Sequence, residues 1–154
     1  MLDTLDKFKM KKDGVELAGE ELEEEKNKYK RRRHGLGIQL FGKNKEGKDS
    51  KYAGEWENDQ VHGDGHYVYH DGSEYKGNFN YGVFQGFGEF QWPLSASEGL
   101  KKKHVYKGMW ENGKMHGKGE FIHADGRALK GYFANNLFEL TQKGKKYFVN
   151  PLEN

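Results

Sequence analysis

Cysteine is missing from the sequence, and proline occurs only twice in 154 residues. Without cysteine there is neither a disulfide framework nor a thiolate zinc site, which favours a reducing, intracellular environment. The sequence also lacks the run of roughly 20 apolar residues that a membrane-spanning helix needs, and its first residues carry no apolar run of signal-peptide length. With a net charge of only +2, it is not expected to bind nucleic acid.

Glycine and aromatic residues are abundant by contrast, with 22 glycines beside 10 Phe, 9 Tyr and 3 Trp. Only 34% of the residues are hydrophobic, which is poor for one spherical core. That composition suits an extended array in which each unit packs only against its neighbours. The aromatic density also argues against a disordered chain, because it supplies apolar area that disordered chains lack.

A pair of glycines two residues apart recurs four times, as His34-Gly35-Leu36-Gly37, His62-Gly63-Asp64-Gly65, Gln85-Gly86-Phe87-Gly88 and His116-Gly117-Lys118-Gly119. Ten residues before each of the last three, a tyrosine opens a second pattern, as Tyr52-Ala53-Gly54-Glu55-Trp56, Tyr75-Lys76-Gly77-Asn78-Phe79 and Tyr106-Lys107-Gly108-Met109-Trp110. The spacing gives a period of 23 residues, with eight more inserted after Trp92. The last copy, from Leu129, lacks the glycine-pair half, and the first lacks the tyrosine half, as terminal repeats often do.

Within each unit the hydrophobic period is two, which predicts strands. Turn-forming residues join the two halves of a unit as a hairpin, for example in Glu57-Asn58-Asp59-Gln60 and Glu111-Asn112-Gly113-Lys114. Glycines at alternate positions leave room for aromatic rings from neighbouring strands to lie over the backbone. The pattern therefore predicts an all-β fold in which successive hairpins form one antiparallel sheet.

The combined pattern resembles the MORN repeat family. Residues 106–119 fit every defining position, the copy from Tyr52 departs at Asp59, and the copy from Tyr75 departs at Phe79 and Gln85. The resemblance implies 23-residue hairpins in an elongated, twisted antiparallel sheet over residues 34–140. It also implies a non-enzymatic scaffold of the kind used in cytoskeletal, ciliary and membrane-junction assemblies.

Three segments lie outside the repeats. Residues 1–33 form a charged extension in which an acidic block precedes a basic one, and this order of charges predicts a helix from Glu20 to Arg32. Residues 93–105 are predicted to form a loop inserted in the array. In the tail, residues 141–154, a basic stretch precedes Tyr147-Phe148-Val149. The tail is predicted to be either one more edge strand or a docking segment.

Two sets of residues are candidate contacts for partners. Aromatic rings at equivalent repeat positions either pack within the array or anchor a partner segment on a concave aromatic face: Tyr52, Trp56, Tyr67, Tyr75, Phe79, Phe90, Tyr106, Trp110 and Phe121. Basic clusters are candidates for contact with anionic lipid headgroups: Lys28, Lys30, Arg31, Arg32, Arg33, Lys101, Lys102 and Lys103.

Catalytic and metal chemistry find little support in the residues. His62, His66 and His70 follow each other at intervals of four residues, and on a strand residues four apart are separated by roughly 13 Å, too far to share one ion. The histidines at the repeat position are predicted to have a structural role. The serines lie in turns or loops, and no phosphate-binding motif follows the glycine pairs. We therefore expect no enzyme activity, cofactor, metal or small-molecule substrate.

Three functional hypotheses remain from the sequence. The first is a scaffold that binds a protein segment in a cytoskeletal assembly, by family resemblance in the axoneme of a cilium or flagellum. The alternative is a membrane-associated tether that binds anionic lipids through the basic clusters. A third is an accessory subunit of an enzyme.

Overall fold

The computed structural model describes residues 32–94 and 102–153, together with the backbone of residues 11–12 and 15–16. In these parts of the chain all regular secondary structure is β-strand. The predicted helix over residues 20–32 lies outside the described residues, except for its last residue, Arg32. The contacts divide the chain into two units, residues 1–32 and 33–154.

The first unit contains one small hairpin. Strand β1 (Lys11–Lys12) pairs antiparallel with β2 (Val15–Glu16) in a two-stranded sheet.

The second unit is one antiparallel sheet of ten strands that follow each other in chain order. They are β3 (Gly35–Phe41), β4 (Ser50–Glu57), β5 (Gln60–Val68), β6 (Glu74–Asn80), β7 (Val83–Gln91), β8 (Val105–Glu111), β9 (Lys114–Ile122), β10 (Ala128–Ala134), β11 (Leu137–Gln142) and β12 (Lys145–Val149). This confirms the predicted sheet of hairpins. The sheet continues past residue 140, because part of the tail forms the edge strand β12.

Two-residue turns close the hairpins, and both residues of each turn have positive φ. The pairs are Asn58-Asp59, Tyr81-Gly82, Asn112-Gly113, Asn135-Asn136 and Lys143-Gly144. This backbone belongs to the type I′ turn, whose twist matches that of the flanking strands. Asparagine and glycine dominate these positions because they adopt positive φ at the lowest cost.

The glycine-pair motif forms a bulge in the second strand of each hairpin. Gly54 pairs with Gly65 and Trp56 with Val61, so three residues of β5 lie opposite one residue of β4. Gly63 takes up this extra length with φ +66, a conformation that favours glycine. The same shift occurs between β6 and β7 and between β8 and β9. The first glycine of the motif therefore provides the positive-φ residue that the bulge requires.

Candidate functional site

The tyrosine that opens each repeat lies flat over the glycines of its own hairpin. A Cβ added at Gly65 would clash with the Tyr52 ring, and one added at Gly54 would meet the Tyr52 hydroxyl and the backbone of Gly65. The hydroxyl of Tyr52 donates a hydrogen bond of 2.8 Å to the carbonyl of Glu55. The second glycine of the motif therefore makes room for a ring, as the sequence predicted.

This arrangement recurs in the next two repeats. The hydroxyl of Tyr75 donates to the Asn78 carbonyl at 2.9 Å, and that of Tyr106 donates to the Met109 carbonyl at 3.0 Å. Burial raises the pKa of Tyr106 to about 12 and is the largest cause of the raised pKa of Tyr75. A tyrosine hydroxyl is a protonated donor at neutral pH in any case, and burial extends that state to higher pH.

The aromatic residue four positions after the tyrosine links one repeat to the one before it. The indole Nε1 of Trp110 donates a 3.2 Å hydrogen bond to the carbonyl of Gly88. In the first repeat the Arg33 guanidinium lies 3.9 Å from the ring centroid of Trp56, and Arg33 Nε is 3.1 Å from an Asp59 carboxylate oxygen. These rings therefore hold neighbouring units together.

Five half-buried rings form a strip that we call the aromatic trough, made of Phe41, Tyr67, Tyr69, Phe90 and Trp92. The ring centroids of Tyr67 and Tyr69 are 4.3 Å apart, and Tyr67 stacks on Phe41 at 5.5 Å. Phe90 meets Trp92 edge to face at 4.7 Å, and Tyr69 is 6.5 Å from Phe90. The trough thus runs across three successive copies of the repeat.

Two open grooves lie along the trough. The first, of about 430 Å³, is lined by residues that include Phe41, Tyr67 and Tyr69, with Arg33 and Asp59 among its polar residues. The second, of about 410 Å³, is lined by Phe84, Phe90, Trp92, Trp110, Gly113, Met115, Asn136, Asn150 and Leu152. Asn150 and Leu152 come from the tail that follows β12, and Pro151 between them is fully buried. The chain's own tail therefore lines one of the two grooves.

The predicted aromatic contacts separate into two classes. Seven have an exposed fraction of 5% or less and belong to the packed core: Tyr52, Trp56, Tyr75, Phe79, Tyr106, Trp110 and Phe121. Tyr67 and Phe90 are half-buried and lie in the trough. The packing interpretation thus describes the seven, and partner binding by this set stays a prediction.

The candidate contacts predicted from the sequence did not include three trough residues, Phe41, Tyr69 and Trp92. Tyr69 and Trp92 lie two positions after Tyr67 and Phe90, so continuing the period-two pattern past the strand end would have found them. Phe41 lies in the repeat copy whose tyrosine half is absent from the motif, and the repeat spacing gave no signal there.

The basic candidates are only partly available to a partner. Lys103 Nζ donates to the Gly72 carbonyl at 2.9 Å and to Glu74 Oε1 at 3.0 Å, and this hydrogen bond is the main cause that lowers the pKa of Glu74. Arg33 contacts Asp59 and Trp56, whereas Arg32 and Lys102 are exposed. The predicted contacts Lys28, Lys30, Arg31 and Lys101 lie outside the described residues.

His62, the histidine of the second glycine pair, contacts the backbone and a carboxylate, and His116 contacts the Glu111 carboxylate. His62 Nδ1 accepts a 3.3 Å hydrogen bond from the Tyr81 amide, while its Nε2 is 3.3 Å from Glu57 Oε2. Gln85, which replaces histidine in the next copy, accepts from the Asn112 amide at 3.1 Å. In the part of the chain that the structure describes, no group of three or more side chains is arranged to hold a metal ion. This geometry agrees with a structural role.

The opposite face of the sheet carries a cross-strand row of alternating charge. The register places Lys76 opposite Glu89, Glu89 opposite Lys107 and Lys107 opposite Glu120, and Lys107 Nζ lies 3.0 Å from Glu89 Oε2. Shallow grooves of about 800 and 580 Å³ lie on either side of the exposed Phe87. Because opposite charges alternate there, this face has no dominant sign with which to select a charged partner.

Within the described residues, no helix is long and apolar enough to cross a membrane.

Comparison with known proteins identifies the repeats. The model of the MORN repeat matches residues 52–74, 75–93 and 106–126. Alsin of Rattus norvegicus is 38% identical over 90 residues, which are 58% of this chain and 5% of that protein. Human alsin is 37% identical over the same length. MORN repeat-containing protein 3 of Xenopus laevis is 35% identical over 75 residues, 48% of this chain and 31% of that protein.

The chain thus spans a small part of the alsins and about a third of the Xenopus relative. It carries three MORN repeats that the family model recognises. Such repeats suggest a scaffold that interacts with proteins or membranes, and the family is generally non-enzymatic.

Proposed function

We propose that this chain, with its three MORN repeats in one antiparallel sheet, is a non-enzymatic scaffold whose aromatic trough binds an extended segment of a partner protein. The observation that carries the proposal is the tail, since Asn150 and Leu152 line the second groove and Pro151 is buried. The tail is an internal example of the kind of segment that the trough accepts. The first groove has aromatic walls of the same kind and no tail residue among those that line it.

The chemistry of the first groove indicates which partner fits. Flat aromatic walls favour apolar side chains and proline rings, and proline has no backbone N–H group that burial would leave without an acceptor. Arg33 and Asp59 line the same groove as an ion pair, with 3.1 Å between Arg33 Nε and an Asp59 carboxylate oxygen, so that part of the groove is polar. We therefore expect an apolar segment that contains proline and is flanked by polar residues.

The membrane tether has less support from the geometry. Two of the four described basic candidates, Arg33 and Lys103, already contact acidic side chains of the same chain. A basic side chain that is already paired with a carboxylate of the same chain attracts lipid headgroups less strongly than an unpaired one. Membership of a cytoskeletal, ciliary or axonemal assembly remains a proposal based on family resemblance.

A peptide with the sequence of residues 146–153 tests the trough. We expect the fluorescently labelled peptide to bind the full chain, and Tyr69→Ala to weaken binding at least tenfold, because Tyr69 lines the first groove. Phe87→Ala removes an aromatic ring from the opposite face and is the matched control, for which we expect unchanged binding. Equal affinities of the two variants, or no binding of the peptide, would contradict the proposal.

Vesicles test the alternative. If the tether model holds, the chain should be found in the pellet when vesicles rich in phosphatidylserine are sedimented. In that case the double variant R32Q/K102Q, or raised salt, should abolish sedimentation. We expect no such sedimentation from the chain alone.

A further inference from the structure

Strand β3 lies at the edge of the ten-stranded sheet and pairs only with β4 in the part of the chain that the structure describes. Its seven residues, Gly35–Phe41, include no charged residue and no proline. The side chains of Leu36, Ile38 and Leu40 are 87%, 70% and 64% exposed. An uncharged apolar edge of this length presents backbone groups to which another strand can pair.

β3 already has the backbone of the second half of a hairpin. Gly35 has φ +82, as the bulge glycines Gly63 and Gly86 have φ +66 and +71. The Asp59 amide donates to the Arg33 carbonyl at 3.0 Å. In the following repeat the Gly82 amide makes the equivalent bond, of 2.7 Å, to the Val61 carbonyl. β3 is therefore bent like the other glycine-pair strands.

What differs at β3 is the cover over its second glycine. A Cβ added at Gly65, Gly88 or Gly119 would meet the tyrosine of the preceding strand. At Gly37 the added Cβ would meet only the Trp56 indole, at 3.2 Å. Among the residues that the structure describes, the position that a tyrosine ring holds over Gly65, Gly88 and Gly119 is thus open at Gly37, on the side of β3 away from β4.

We propose that β3 binds an extended strand of another polypeptide, antiparallel, with the sequence pattern aromatic-x-Gly-Glu. The pairing of β4 with β5 gives the register, because Gly54 lies opposite Gly65 and Tyr52 opposite Tyr67. The partner's glycine lies opposite Gly37 and its aromatic residue opposite Gln39. The aromatic ring covers Gly37 as Tyr52 covers Gly65. This surface adjoins the first groove of the aromatic trough, since Phe41 belongs to both, but the pairing uses the backbone of β3 and does not require that a segment binds in the groove.

The glutamate is included in the pattern because of a hydrogen bond seen between β4 and β5. Glu55, which follows Gly54, accepts a 3.1 Å hydrogen bond from the Asp64 amide in the bulge of β5. Leu36 occupies the equivalent position in β3, so a partner glutamate would accept from its amide.

A segment of the same chain is the competing occupant, because Leu17-Ala18-Gly19-Glu20 has the same spacing with leucine at the aromatic position. Leucine lacks the hydroxyl that Tyr52 donates to the carbonyl three residues on. It also lacks a flat ring to cover Gly37. The partner strand is therefore the better match.

The test uses a labelled peptide with the sequence of residues 50–58 and the 154-residue chain. We expect the peptide to bind and to slow amide hydrogen exchange at Leu36, Ile38 and Leu40. A peptide with Gly54→Val should bind at least tenfold more weakly, because a Cβ at this glycine meets the backbone of the opposite glycine. A peptide with Tyr52→Ala should also bind more weakly. Both changes are in the peptide and leave the fold of the protein untouched.

Three results would overturn the proposal. The first is equal affinity of the wild-type and Gly54→Val peptides, and the second is protection at β12 instead of β3. The third is slow exchange of the β3 amides before any peptide is added. If Gly19→Val then accelerates that exchange in a monomeric chain, the chain's own segment is the occupant. If dilution of the chain accelerates the exchange of the β3 amides, a second copy of the chain is the occupant.

Discussion

At the scale of single residues, the repeat depends on a glycine that gives space to a tyrosine. The Tyr75 ring lies over Gly88, and its hydroxyl reaches the Asn78 carbonyl. The glycine loses more conformational entropy on folding than other residues, and the buried ring and its hydrogen bond offset that cost. Glycine and tyrosine are thus two parts of one contact, which explains their joint excess in the composition.

Gly88→Ala tests this contact. The added methyl group would clash with the Tyr75 hydroxyl and ring, so we expect a loss of about 2 to 3 kcal/mol in the free energy of unfolding. Urea denaturation measures it. Gly42→Ala is the control, because nothing lies within 4 Å of a Cβ at Gly42, and its stability should change by less than about 0.5 kcal/mol. An unchanged stability of Gly88→Ala would mean that the ring moves aside at little cost.

At the scale of the hairpin, the turn determines how far each repeat can depart from its pattern. All five two-residue turns need positive φ at both residues, yet Tyr81 occupies one of them at φ +45. Its ring packs 4.4 Å from the imidazole of His62. The amide of Tyr81 also donates to His62. Contacts with the preceding repeat therefore compensate for a residue that the turn alone disfavours.

Substitutions at Asn112 test whether the turn requires a residue that tolerates positive φ, since Asn112 has φ +50. Asn112→Ala should lower the free energy of unfolding by about 1 kcal/mol, because alanine adopts positive φ at a cost. Asn112→Gly should stay within about 0.5 kcal/mol of the wild type. The amide that donates to Gln85 is present in both variants, so the comparison isolates the backbone conformation. Thermal unfolding of the three proteins gives the answer, and equal losses for alanine and glycine would contradict it.

At the scale of the whole sheet, each described strand is hydrogen-bonded only to its neighbours in sequence. The core cluster extends from Tyr52 to Phe138 on one face, with rings of successive repeats in contact. Stability is then approximately the sum of the units and the interfaces between them. In the described parts of the chain the two edge strands, β3 and β12, have one neighbour each, and four of the five β12 residues are exposed.

Hydrogen exchange should therefore follow position in the sheet. We expect the slowest amide exchange in β6 to β9, which pair on both sides, and the fastest in β3 and β12. Mass spectrometry of exchanged peptides would resolve this gradient in the free protein. Uniform protection across the sheet would show that the unit unfolds as a single block.

The sequence by itself determined the strands, their order and their turns, because these depend on neighbours close in the chain. A period of two, the 23-residue spacing and pairs such as Asn112-Gly113 sufficed for them. It also determined that each tyrosine needs a glycine partner, since both belong to one repeat.

Only the tertiary structure decided which rings are buried and which face a groove. Tyr75 is enclosed because Phe79, Phe84 and Trp110 contact its ring, whereas Tyr69 lies past the end of its strand and keeps an open side. The pairing of Lys103 with Glu74, 29 residues apart, was equally invisible in the sequence. Burial depends on what distant residues place over a side chain, and local spacing carries no information about that.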